Sequence, residues 1–153
     1  MAYWNWDDSY NIGIEEIDNQ HKKIVEYINE LHEAIILSDK NIVKNTLFHI
    51  TDYIVSHFSF EEKLMKEADY PQFIHHKNIH ETFVSNIGRY KIAFNEGHDI
   101  AGQLMAELQI WLTKHILQED RAYKECVQKT LNGESENKKS NLFKKVFGSF
   151  TKQ

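Results

Sequence analysis

Five histidines and two carboxylates carry the chemistry of this chain: His21, His57, Glu61, His76, His80, His115 and Asp120. Each falls on the apolar stripe of an expected helix. A polar or charged group there is costly to bury unless it is paired or bound. His57 and Glu61 are four apart, as are His76 and His80, so each pair stacks on one helix face. Two histidines at this spacing can chelate one ion. His115 and Asp120 are five apart and diverge by roughly 140° on an α-helix, so Asp120 is expected to reach sideways as a bridge between two ions. Glu61 is the other candidate bridge.

Seven ligands exceed what one tetrahedral zinc takes, and they suit two six-coordinate ions that share bridges. The nitrogen-rich set favours iron, copper, nickel or zinc over magnesium or calcium, which prefer oxygen. Five histidines divide unevenly, and three plus two leaves one ion a ligand short. That is the opening a small-molecule site needs. His32, His49, His75 and His98 are read as ordinary helix or surface histidines. His75 points about 100° away from His76, and His32 lies three turns along from His21.

Four elements must position these residues. The first helix is expected from about Glu15 to Leu37, with Ile17, Ile24, Val25, Ile28, Leu31 and Ile35 on one face around His21. Ser38-Asp39 supplies a turn and the next N-cap. The second runs from about Lys40 to Glu67. Its seam is Val43, Leu47, Ile50, Ile54, His57, Glu61 and Leu64. Tyr70-Pro71 ends it, because proline lacks an N–H and restricts the residue before it. The third runs from Gln72 to Glu96 along Phe73, His76, His80, Phe83, Ile87, Tyr90 and Phe94, and Gly97 caps it. The fourth is expected as one helix from Asp99 to about Leu131, with Leu104, Leu108, Trp111, His115 and Tyr123 inward. The fold class is all-α: an up-down-up-down antiparallel four-helix bundle over residues 1–133. An N-terminal arm precedes it, with Trp4 and Trp6 packing on the bundle.

Residues 134–153 change character. They hold five lysines and two glutamates, against a net charge of −5 for all 153 residues, so the body is acidic. An acidic body argues against nucleic-acid binding. The tail joins a polar linker to Asn141–Phe150, a possible short basic amphipathic helix able to touch a membrane surface or a partner protein. Helices this short are marginal alone, so a solvated terminus is the favoured reading. No run of apolar residues is long enough to span a membrane. The N-terminus lacks the pattern of a signal peptide, and the single Cys126 precludes an intrachain disulfide and a thiolate cluster. A cytoplasmic monomer is expected. Glu-x-x-His and His-Glu-x-x-His pairs are absent from the sequence, which argues against ferritin-like carboxylate centres and zinc proteases.

Four stretches resemble the bacterial hemerythrins: Ile17–His21, His57–Glu62, His76–His80 with Phe83, and Trp111–Asp120. Together they cover residues from about 4 to 130, and every ligand position of the family pattern is filled. The resemblance implies reversible O2 binding for storage or delivery at a non-heme, oxo- or hydroxo-bridged di-iron centre, rather than an enzyme. One iron would take His76, His80 and His115. The other would take His21 and His57 and keep an open position, with Glu61 and Asp120 bridging. Leu112, Trp111, Ile24 and Ile54 are candidates to line the O2 pocket. Two alternatives are a sensing or docking module that works through a partner, and a di-iron enzyme acting on peroxide or NO. No acid–base residue is expected beside the open position, which disfavours the enzyme.

Overall fold

A computed structural model describes residues 2–133. The tail from 134 onward, with its expected amphipathic segment, lies outside the described residues. Helix α1 spans Glu15–Ile36, α2 Lys40–Glu67, α3 Phe73–Asn95, α4 Ala101–His115 and α5 Arg121–Gly133. Helix α1 packs on α2 and α4, α2 on α3 and α5, and α3 on α4. The connections are short, so sequential neighbours run antiparallel, and α4 and α5 together make the fourth member of a four-helix bundle.

Local chemistry sets these limits. The Asp39 carboxylate accepts from the backbone N–H of Asn41 and Ile42, which caps α2. Ser38 takes a φ of 56° as α1 ends, and Gly97 a φ of 91° as α3 ends, the left-handed turn that closes many helices. The observed ends fall within two residues of the expected ones for the first three helices.

The fourth element departs from expectation. It is not one α-helix: Ile116–Asp120 forms a π-helical turn between α4 and α5. Such a turn holds one more residue than an α turn. It therefore brings positions five apart back to one face, and His115 and Asp120 are both buried. The sideways reach expected of Asp120 is unnecessary, because the backbone does the turning.

The seam of α2 is buried from Val43 to Leu64, as its spacing predicts. On α1, Ile17, Ile24, Ile28 and Leu31 are fully buried, whereas Ile35 only packs at the margin of the core. Trp111 is half-buried rather than inward, and Leu112 beside it takes the interior position.

The N-terminal arm is tied down by specific bonds. Asn29 holds Trp4 at both backbone groups, at 2.8 Å each, and the Trp4 ring is buried. Asp18 accepts from the N–H of Ile12 and Gly13, which explains its burial. Gly13 has a φ of +90°, and a Cβ there would sit 3.1 Å from Gln128 Nε2. Among the described residues no helix is long and apolar enough to cross a membrane.

Candidate metal centre

Among the described residues, eleven polar or charged ones are buried, and all seven predicted ligands are among them. They fall into two groups that share members. His76, His80 and His115 gather with Glu61 and Asp120. His21 and His57 gather with the same Glu61 and Asp120. Within each group the ligand atoms lie within 4.8 Å of one another. His32 lies elsewhere, stacked on Tyr3 at 4.9 Å, and His49, His75 and His98 are exposed.

Each carboxylate divides its oxygens between the groups. Glu61 Oε1 lies 3.2 Å from His57 Nε2 and 3.5 Å from His21 Nε2, while Oε2 lies 3.2 Å from His80 Nε2. Asp120 Oδ2 lies 3.1 Å from His21 Nε2, while Oδ1 lies 3.0 Å from His115 Nε2 and 3.2 Å from His76 Nε2. One oxygen toward each histidine group is the arrangement of a carboxylate that bridges two ions.

The spacing of the nitrogens tests the fit. His80 Nε2 is 3.0 Å from His76 Nε2 and 2.9 Å from His115 Nε2. With a metal–nitrogen length of about 2.1 Å, two nitrogens at right angles on an octahedral ion lie about 3.0 Å apart, and on a tetrahedral ion about 3.4 Å. The observed values match the octahedral case. Several buried ligand atoms have no hydrogen-bond partner: His21 Nε2, His57 Nε2, Glu61 Oε2 and both Asp120 oxygens. Orphaned polar atoms at this depth cost stability unless something else satisfies them, and a cation does. The residues fit two metal ions.

Acceptors behind the rings fix which nitrogen faces inward. Gln20 Oε1 lies 2.7 Å from His57 Nδ1, and Glu62 Oε1 lies 3.3 Å from His80 Nδ1. Glu119 Oε2 is 3.6 Å from His115 Nδ1. At His57 and His80 the oxygen accepts from the Nδ1–H and leaves the Nε2 lone pair for the interior. The Tyr123 hydroxyl, fully buried, donates to Glu61 Oε1 at 2.9 Å. Aromatic rings wall the three-histidine group. Phe58 stacks on His80 at 3.8 Å, and Trp111 stacks on His115 at 4.4 Å and on Phe83 at 3.7 Å.

The iron-free electrostatics follow. Burial opposes charge on His21, but the adjacent Asp120 and Glu61 carboxylates outweigh it and hold the ring up to about 9. The same contest raises His76 to about 10. Burial dominates at His57 and lowers it. Burial alone would raise Glu61, yet His57, His21 and His76 hold it well below the usual carboxylate range. Burial pushes the Tyr123 hydroxyl well above its ordinary value.

The seven residues singled out by spacing come together and Tyr123 is buried as expected, whereas spacing gave no sign of the partners Gln20, Glu62 and Glu119, nor of the bond from Tyr123 to Glu61. Each of those three is the chain neighbour of one of the seven, and Glu119 also stands four after His115. The lining candidates divide. Ile24, Ile54 and Leu112 are buried, each three residues from a ligand histidine. Trp111 covers the three-histidine group.

The fold and the site together define a class: helix-bundle proteins that hold two metal ions with histidines and shared carboxylates. The comparisons agree. The hemerythrin HHE cation binding domain matches residues 12–127. Bacteriohemerythrin of Stenotrophomonas maltophilia is 42% identical over 132 residues, 86% of each chain. That of Pseudomonas aeruginosa (strain LESB58) is 39% identical over the same share. A solved wild-type hemerythrin matches with a TM-score of 0.79 at 26% identity, covering 82% of this chain and 98% of that one. This chain belongs to the hemerythrin family, whose members bind O2 at a di-iron centre and are not enzymes.

Proposed function

We propose that this protein binds O2 reversibly, for storage or delivery, at two irons held by these seven residues. His76, His80 and His115 serve one ion, His21 and His57 the other, and Glu61 and Asp120 bridge them. The observation that carries this reading is the pair of ligand groups that share both carboxylates. One group supplies five residues and the other four, so the second ion is a ligand short and open to a small molecule. When bound, two ferrous ions supply the electrons that O2 takes up on binding and returns on release.

The chain's own residues do the rest. The Nε2 lone pairs of His57 and His80 point inward because Gln20 and Glu62 accept from the Nδ1–H of those rings. Tyr123 holds Glu61 by its O–H and keeps Oε1 turned to the two-histidine side. Ile24, Ile54 and Leu112 exclude water around the open side, which slows the proton entry that would release a reduced oxygen species. The protein acts as a monomer in the cytoplasm, and a sensing role would act through a partner docked on the basic tail, residues 134–153.

The test is optical. The protein is reduced without air, exposed to O2 and then degassed. A colour that appears with O2 and fades on its removal supports the proposal. Irreversible oxidation on first exposure overturns it and favours redox sensing or catalysis on peroxide or NO.

A further inference from the structure

The outer partners of the ligand histidines are not evenly charged. Both carboxylates, Glu62 and Glu119, stand behind rings of the three-histidine group, at His80 Nδ1 and His115 Nδ1. Behind the two-histidine group stands a neutral amide, Gln20, at His57 Nδ1. Resting on the di-iron reading above, we infer that Glu62 and Glu119 direct the first one-electron oxidation of the centre to the iron held by His76, His80 and His115.

A carboxylate that takes the Nδ1 proton of a metal-bound imidazole makes the ring more basic and a stronger donor to its ion. A stronger, more anionic donor stabilises the ferric over the ferrous state. Partners outside the ligand shell are one of the protein's levers on potential. An amide oxygen accepts the same proton without adding charge, so Gln20 orients His57 with little electronic effect. The Glu62 and Glu119 side chains are 21% and 25% exposed, so water reaches the far side of each while the near side faces the imidazole. Glu62 also lines a surface groove of about 400 Å³ that His80 and Glu81 share. Glu119 Oε2 stands 3.6 Å from His115 Nδ1, an ion-pair distance longer than a hydrogen bond, with both atoms buried.

The result is a centre with a built-in polarity. The coordinatively complete ion gives up its electron first to an added one-electron oxidant, and the open ion stays ferrous longer.

The test is a redox titration of the iron-loaded full chain with ferricyanide and mediators, followed by optical and paramagnetic resonance spectra. Iron content is measured first. Wild type, Glu62→Gln and Glu119→Gln are compared with Glu81→Gln, a groove carboxylate that touches no imidazole. Each of the first two substitutions shifts the first one-electron equilibrium about tenfold toward the ferrous form, about 59 mV, while Glu81→Gln leaves it in place. Gln20→Glu supplies the complementary gain. It puts a carboxylate behind His57 at the same position, and the gap between the two one-electron steps narrows about tenfold. A chain that takes up no iron refutes the di-iron reading itself. Variants that hold two irons yet titrate like Glu81→Gln, with a Gln20→Glu gap unchanged from wild type, overturn this inference and leave that reading standing.

Discussion

Loading iron into this protein must expel protons, and the structure says from where. In the iron-free chain His21 is held up to about 9 and His76 up to about 10, because buried Asp120 and Glu61 outweigh the burial that opposes their charge. Both rings are therefore protonated at pH 7, while a metal takes only the neutral imidazole. Filling the site releases about two protons per chain from these two residues, so the overall iron affinity falls about a hundredfold for each pH unit of acidification near neutrality. Stability of the iron-free fold runs the other way. A raised pKa contributes stability that is complete below the unfolded value, about 6.5, and is lost as pH climbs through 9 to 10. Alkaline conditions thus weaken the empty protein while they favour the loaded one. The assay is anaerobic calorimetric titration with ferrous iron at pH 7 in buffers of different ionisation heat, which counts the protons. Release of less than one proton, with an affinity flat in pH, refutes the reasoning.

Further expectations concern single residues. His57→Ala and His80→Ala each lose iron and, with it, stability of about 4 kcal/mol where iron stands a thousandfold over its Kd; iron analysis and thermal melts check both. Tyr123→Phe removes a buried hydrogen bond to a charged acceptor and leaves the ring in place, so the iron-free protein loses about 1.5–3 kcal/mol in urea unfolding. Deleting exposed Gln118 replaces the π turn by an α turn and leaves the aspartate four after His115, still on its face, so two irons are retained. Inserting one alanine between Gln118 and Glu119 rotates the aspartate by about 100°, and iron content drops.

Much of this was legible in the chain because two periodicities coincide. The seam of α2 writes His57 and Glu61 into the same three-and-four spacing as Leu47, Ile50 and Ile54, so the helix that buries the core also buries the ligands. Asp39, Pro71 and Gly97 mark helix ends by chemistry that acts over a few residues. The π turn was not legible. Its trace is the five-residue step from His115 to Asp120, which an α-helix reads as a misplaced carboxylate and the folded backbone resolves by adding a residue to one turn. The roles of Gln20 and Glu62 escape for another reason: each meets a histidine of a different helix, and reach across a bundle depends on helix rotation that spacing leaves free. Ile35 and Trp111 pack on the core but stay part-exposed, because at a helix margin one step around the axis separates core from surface.

The most direct test of the central claim is anomalous diffraction at the iron absorption edge from crystals of the loaded protein. Two peaks are predicted: one about 2.1 Å from the Nε2 atoms of His76, His80 and His115, the other beside His21 and His57, with Glu61 and Asp120 reaching both. A single peak, or two peaks away from these seven residues, would contradict the account.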